Sequence, residues 1–110
     1  MQVEVREEGE VAVVAMRGEV DLSTSPRARQ SILDSLTAGR SVAVEMSGVT
    51  YIDSSGVASL VEGYQAAKNQ GLRFCLVGVS EAARSVLELA RLDRVFPMAA
   101  TVEEFAADDG

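Results

Sequence analysis

The first twenty residues show two hydrophobic patterns of different period. Residues 2–6 alternate between polar and apolar side chains, with Val3 and Val5 on one face, which is typical of a half-exposed strand. Residues 11–16 form the continuous apolar run VAVVAM, which predicts a strand buried on both faces. A short glycine-containing turn at 8–10 separates the two segments, so we expect them to pair as an antiparallel hairpin.

The remainder of the chain alternates between strand-like and helix-like segments. Short apolar runs predict strands at residues 41–46, 72–77 and 95–96, and apolar character resumes at 49–52 after a break at Ser47-Gly48. Apolar residues at helical spacing predict helices that start at Ser25-Pro26, after Gly56, at Ser80 and at Thr101. Strands that alternate with helices favour parallel pairing, so the sequence predicts an α/β fold with one mixed sheet and helices mainly on one face. We expect a single domain over residues 1–110, with a disordered tail at 106–110.

Charge and composition argue against several classes of function. The chain has 17 acidic and 10 basic residues, and its net charge of −7 argues against binding of nucleic acid or of an anionic membrane. No apolar run approaches the ~18 residues of a transmembrane helix, and the N-terminus has no signal-peptide core. We therefore expect a cytoplasmic protein without direct membrane insertion.

Histidine, the commonest general base and metal ligand, is missing from the sequence. The chain has no histidine, and its one cysteine, Cys75, lies in an apolar run that predicts a buried thiol, so zinc sites built on histidine or cysteine clusters are excluded. A nucleophilic serine needs a base, and Lys68 is four turns from Ser54 on the polar side of its predicted helix. There is no G-x-S-x-G elbow and no phosphate-binding glycine loop. We expect no enzyme activity, no cofactor and no metal.

The segment Asp53-Ser54-Ser55-Gly56 follows an apolar strand and opens a helix. The positive end of a helix dipole tolerates an anion, including a phosphate added to a serine. Two interpretations stay open. Either Ser54 or Ser55 caps the helix and Gly56 eases the turn, or a serine is presented to another protein, and Gly56 lacks a side chain that would block close approach.

Four sequence features in order carry a resemblance to a known family. They are the segment Gly18-Glu19-Val20-Asp21, the segment Asp53-Ser54-Ser55-Gly56, a turn at Gly71 and the segment LELARLDRVF at residues 87–96. Together they span nearly the whole chain, which resembles the STAS domain and, within it, the bacterial anti-sigma factor antagonists. The fold implied by this resemblance is a STAS-like mixed sheet with helices on one side.

The resemblance implies a regulator of transcription that works by partner switching. In that family an anti-sigma factor, which is also a serine kinase, phosphorylates the serine after the aspartate, and this serine corresponds to Ser54. The unphosphorylated domain binds the kinase and frees the sigma factor, and a phosphatase can reverse the modification. The partner-binding residues that we expect here are Asp21, Ser23, Thr24, Asp53, Ser55, Gly56, Ala58, Ser59 and Glu62.

Two departures from the family pattern favour an alternative. Val57-Ala58-Ser59 stands where the family often has Leu-Gly-Val, and Arg91 stands where it often has glycine. These features resemble accessory STAS subunits of bacterial lipid-transport ABC systems, which bind an ATPase and need no phosphorylation.

The helix after Gly56 is predicted to pack one face on the sheet and to leave the other face outward. The packing face consists of Val57, Leu60, Val61, Tyr64 and Ala67. The outward face consists of Ala58, Ser59, Glu62, Gln65, Ala66 and Asn69. Because these outward residues are small and weakly charged, we expect them to dock a protein partner together with the loop 21–24. An ordinary solvated face is the alternative.

Overall fold

The computed structural model describes residues 1–107 as one sheet with four helices. The elements are β1 (Gln2–Glu8), β2 (Val11–Val20), α1 (Ser25–Thr37), β3 (Ser41–Ile52), α2 (Ser54–Asn69), β4 (Phe74–Val77), α3 (Glu81–Leu89), β5 (Met98–Ala99) and α4 (Val102–Ala107). Of the tail expected to be disordered, residues 106 and 107 belong to α4, and 108–110 lie outside the described residues. Within residues 1–107, no helix is long and apolar enough to cross a bilayer.

The five strands lie in the sheet in the order of the chain, from β1 to β5. β1 pairs with β2 antiparallel, and every later pair is parallel, so the predicted mixed α/β sheet with its opening hairpin is confirmed. β2 and β3 end side by side, because Val20 pairs with Ile52. This register brings the residues that follow the two strands to the same edge of the sheet.

Helices α1, α2 and α3 cover one face of the sheet and α4 covers part of the other. The larger core, on the three-helix face, contains Ile32 from α1, Leu60 from α2 and Leu87 from α3. On the opposite face, Phe105 of α4 packs in a smaller cluster that includes Cys75. Burial raises the pKa of the Cys75 thiol to about 11, as expected for a buried cysteine that is protonated at neutral pH. The prediction that the helices lie mainly on one face is confirmed.

Two strand boundaries differ from the prediction. The predicted strand at 95–96 is wrong: β5 follows Pro97, whose carbonyl accepts a hydrogen bond from the Leu76 N–H at 2.9 Å. Proline has no N–H to donate, so the ladder starts after it, and Phe96 is buried in the core instead. The strand predicted at 41–46 continues to Ile52 instead of ending at Ser47-Gly48, because the β2–β3 register shifts there and the pairing resumes beyond it.

Arg91 has a left-handed backbone conformation, with φ of 59°, and is the one non-glycine residue with positive φ among residues 1–107. It follows α3, and the N–H groups of Arg91 and Leu92 donate to the carbonyls of Glu88 and Leu87. This geometry is typical of a glycine at a helix end. We expect Arg91→Gly to raise the free energy of unfolding by about 1 kcal/mol in urea titrations, because the Cβ penalty is removed. Arg91→Ala removes the same charge but keeps the Cβ, and an equal gain from alanine would contradict the conformational explanation.

Candidate functional site

The loop after β2 and the start of α2 meet at the carboxyl edge of the sheet. The Asp53 N–H donates to the Val20 carbonyl at 3.1 Å, which fixes the ends of β2 and β3 against each other. From there one chain segment turns through residues 21–24 into α1, whereas the other enters α2 directly. Asp21 and Asp53 therefore lie at neighbouring positions, as expected for residues that follow adjacent parallel strands.

Asp53 caps α2, and neither serine does. Its Oδ1 accepts hydrogen bonds from the N–H groups of Ser55 at 2.9 Å and Gly56 at 3.2 Å, and from the Ser55 hydroxyl at 2.5 Å. Ser54 is the first residue of the helix and is exposed, and its hydroxyl forms no hydrogen bond with another of residues 1–107. The interpretation that a serine caps the helix is wrong, because the adjacent carboxylate already performs that role.

Asp21 organises its own loop in a similar way. Its Oδ1 accepts hydrogen bonds from the Ser23 N–H at 3.0 Å, the Ser23 hydroxyl at 2.8 Å and the Thr24 N–H at 3.2 Å. The Thr24 hydroxyl donates to the Glu19 carbonyl at 3.0 Å, which links the loop back to β2. α1 begins at Ser25, so this residue is inside the helix and does not cap it. The loop is fixed by internal bonds, and Ser23 is exposed on it.

Both carboxylates are held in the ionised form. The hydrogen bond from the Ser23 hydroxyl is the largest influence that lowers the pKa of Asp21 below its usual value. The hydrogen bond from the Ser55 hydroxyl has the same effect on the pKa of Asp53, against opposing influences of partial burial and, to a smaller extent, of the Asp21 charge. Two carboxylates therefore lie at this edge of the sheet at neutral pH, and the exposed Ser54 directly follows one of them.

These lowered pKa values predict a loss of stability in acid. A carboxylate whose pKa is lower in the folded state stabilises the fold fully above its unfolded pKa of about 3.9, and loses that effect as pH falls through the folded value. We expect Asp53→Asn, which keeps a capping side chain, to flatten the fall of the urea midpoint below about pH 4. Glu10→Gln removes one carboxylate from an exposed turn and controls for net charge. An equal flattening in both variants would contradict the assignment to Asp53.

Gly56 lies in the packed interior rather than at the docking surface that we predicted for it. A Cβ added there would lie 2.6 Å from Ile52 Cγ1 and 2.9 Å from Val20 Cγ1, and the residue is buried. Its missing side chain lets the first turn of α2 approach the ends of β2 and β3. The glycine therefore positions Asp53 and Ser54 and does not open space for a partner.

The outward face predicted for α2 is partly covered by α1. Ser59 is buried, and its hydroxyl donates to the carbonyls of Ser55 at 3.1 Å and Ser25 at 3.4 Å, so its assignment to the partner-binding surface is wrong. Glu62 is exposed but forms a two-bond ion pair with Arg29 of α1. Outward positions that are exposed as expected are Ala58, Gln65 and Asn69, whereas Ala66 is partly buried against the core.

Two large apolar side chains near the site are exposed, and the sequence predicted no role for either. Leu22 follows Asp21 and is 78% exposed, and Tyr51 precedes Asp53 by two residues and is 50% exposed. Large apolar side chains at such positions are common anchors in protein interfaces. The available signal was their position: Leu22 is an isolated apolar residue in a polar loop, and Tyr51 lies at the end of a strand outside the core-facing alternation.

Comparisons with known proteins agree with this fold. The STAS domain family matches residues 2–105. The structure of an anti-sigma factor antagonist from Mycobacterium paratuberculosis is 26% identical, with a TM-score of 0.80 over 94% of this chain and 88% of that chain. SpoIIAA in its unphosphorylated form is 21% identical, with a TM-score of 0.80 over 96% and 93% of the two chains. Bacillus SpoIIAA in the phosphorylated form is 22% identical, with a TM-score of 0.75 over 96% of each chain. This chain belongs to the STAS domain family.

Proposed function

We propose that this STAS domain is an anti-sigma factor antagonist in a partner-switching cascade. It binds an anti-sigma factor that is also a serine kinase, and phosphorylation of Ser54 releases it. The observation that carries this proposal is the cap of α2: because Asp53 bonds the free N–H groups, the Ser54 hydroxyl is exposed and free to react. The fold shared with SpoIIAA, whose structure is known in a phosphorylated form, supports the same role.

The electrostatics of the site suit a switch that changes binding without unfolding the domain. A phosphate adds about −1.5 to −2 charges at neutral pH. At the first residue of α2 it interacts favourably with the helix dipole, which offsets its repulsion by Asp21 and Asp53. A partner surface that accepts a neutral hydroxyl next to two carboxylates would face a much larger negative charge. Binding is therefore expected to fail while the fold survives.

The proposed docking surface surrounds Ser54 and consists of the loop at the end of β2, the end of β3 and the first turns of α2. Leu22 and Tyr51 supply apolar contact area, and Ala58 permits close approach by another chain. Ser23 adds an exposed hydroxyl beside Asp21. A partner whose apolar groove accepts a neutral hydroxyl would complement this surface.

The proposal is tested by phosphorylation with the anti-sigma factor kinases encoded in the same genome. We expect transfer of phosphate from ATP to Ser54, mapped by mass spectrometry, and no transfer to Ser54→Ala. Ser55→Ala is the matched control, because it removes the neighbouring hydroxyl and should still be phosphorylated. Phosphate on Ser55 alone, or no phosphate with any of these kinases, would overturn the proposal. An ABC ATPase that binds Ser54→Ala and Ser54→Asp equally well would instead identify a transporter accessory subunit.

A further inference from the structure

β1 is an edge strand whose outer side is open in the part of the chain that the structure describes. It pairs with β2 on one side, and all its residues except Val3 and Glu8 are exposed. Val5, at its centre, is an apolar side chain with 50% exposure. An edge strand presents unpaired backbone N–H and C=O groups that can extend a sheet across a molecular boundary.

The charges along β1 select one register for pairing with a second copy. A two-fold axis perpendicular to the sheet pairs the two strands antiparallel, and opposed residues must share a face because side chains alternate. The axis must therefore pass midway between two copies of one residue. Centred on Glu4, it opposes two glutamates; centred on Arg6, it opposes two arginines. Centred on Val3, it leaves Arg6, Glu7 and Glu8 without opposed residues.

Centred on Val5, the same axis produces complementary pairs. Val5 opposes Val5, and Glu4 opposes Arg6 twice, once on each side of the axis. The outer pairs are Val3 with Glu7 and Gln2 with Glu8, so this register contains no like charges directly opposed. Opposite-charge and apolar cross-strand pairs both stabilise antiparallel sheets.

The surface beside Val5 also has room for a second chain. A groove of about 330 Å³ runs between β1 and α1 on the face that carries Val5. The small residues Ala12, Ser35 and Ala38 form part of its lining, and Glu7 and Arg40, which also line it, form an ion pair. The Val5 side chain of a second copy would cover the exposed apolar surface at the mouth of this groove.

We propose that the protein self-associates through β1, in the register centred on Val5, to join two five-stranded sheets into one continuous sheet. Because a two-fold axis reverses the strand direction, the two Ser54 sites lie at opposite edges of the joined sheet. Both docking surfaces stay accessible in such a dimer, so it would present two copies of the switch. This inference concerns a different surface from the proposed function and does not depend on it.

The test uses charge reversal and the mass measured by analytical ultracentrifugation over a dilution series of the full chain. The parent protein is expected to pass from monomer to dimer as concentration rises. Glu4→Arg and Arg6→Glu are each expected to raise the dimer dissociation constant about tenfold or more, because each replaces two attractive pairs with two repulsive ones. Mixed together, the two variants are expected to form a heterodimer, since every charged pair is then complementary again.

Glu103→Arg on the exposed face of α4 changes the net charge by the same amount as Glu4→Arg and should dimerise like the parent. Val5→Lys, at a half-exposed position, places two like charges next to the axis and, unlike Glu103→Arg, should be monomeric. Circular dichroism establishes that each variant is folded. A parent that stays monomeric throughout the series, or single variants that dimerise as tightly as the parent without mixing, would overturn the proposal.

Discussion

Ser54→Asp is expected to weaken binding of the proposed kinase partner at least about a hundredfold while leaving the melting temperature within a few degrees of the parent. A carboxylate at the first residue of a helix is favourable, so the fold tolerates it. The same charge enclosed in an interface has no cation to compensate it and is already next to Asp21 and Asp53. Titration calorimetry measures the loss of binding affinity, and a thermal melt measures the melting temperature.

Two control variants separate the position of the added charge from the addition of charge itself. Ser85→Asp adds the same charge at an exposed position on α3, on a different part of the surface, and should bind the kinase as the parent does. Ser54→Ala removes the hydroxyl without adding charge and should keep most of the affinity. If Ser54→Asp binds as tightly as Ser85→Asp, then charge at Ser54 does not control docking.

The largest loss of stability is expected for Gly63→Leu. A Cβ at Gly63 would lie 2.6 Å from Ile32 Cγ2 and 3.1 Å from Phe74 Cε2, so α1 and α2 contact each other where α2 has no side chain. Leucine is a good helix former, and the cost is therefore steric. We expect the free energy of unfolding to fall by about 3 kcal/mol in urea titrations, because the displaced side chains are buried.

Gln65→Leu is the control for helix propensity, since Gln65 is exposed two residues further along α2, and it should change stability by less than about 0.5 kcal/mol. The double variant Ile32→Ala with Gly63→Leu should recover part of the loss, because the deleted side chain leaves space for the new one. Additive losses in the double variant would show that Gly63 and Ile32 do not compete for the same volume.

The sheet and its helices could be predicted because their signals are local. Alternation in β1, the apolar run of β2 and the spacing of residues such as Leu60 in α2 each depend on neighbours within a few positions. Parallel pairing then follows from the alternation of strands and helices. The position of Asp21 beside Asp53 is a consequence of the same rule.

The surface of α2 could not be predicted in the same way, because periodicity identifies the face that packs on the sheet and gives no information about neighbouring helices. α1 lies beside α2, so Ser59 is buried and Glu62 is ion-paired although both point away from the sheet. Gly63 is the local indication of this contact. Glycine lowers the stability of a helix, so a glycine in the helix interior indicates a position where close packing leaves no space for a side chain.

The helix cap shows a second limit of sequence reasoning. Aspartate and serine are both good capping residues, and the segment Asp53-Ser54-Ser55 offers three of them in a row. A one-residue difference in where the helix begins decides which of them bonds the backbone and which is free. That difference determines the exposure of Ser54, on which the proposed switch depends.

The strand order from β1 to β5 has a consequence for how the protein is made. Each strand adds to the outer edge of the sheet already present, and none has to enter between two earlier strands. β1 to β3 and both helices that frame the site are complete at Asn69. Folding can therefore follow the direction of translation, and the residues around Ser54 can assemble before β4, α3, β5 and α4 leave the ribosome.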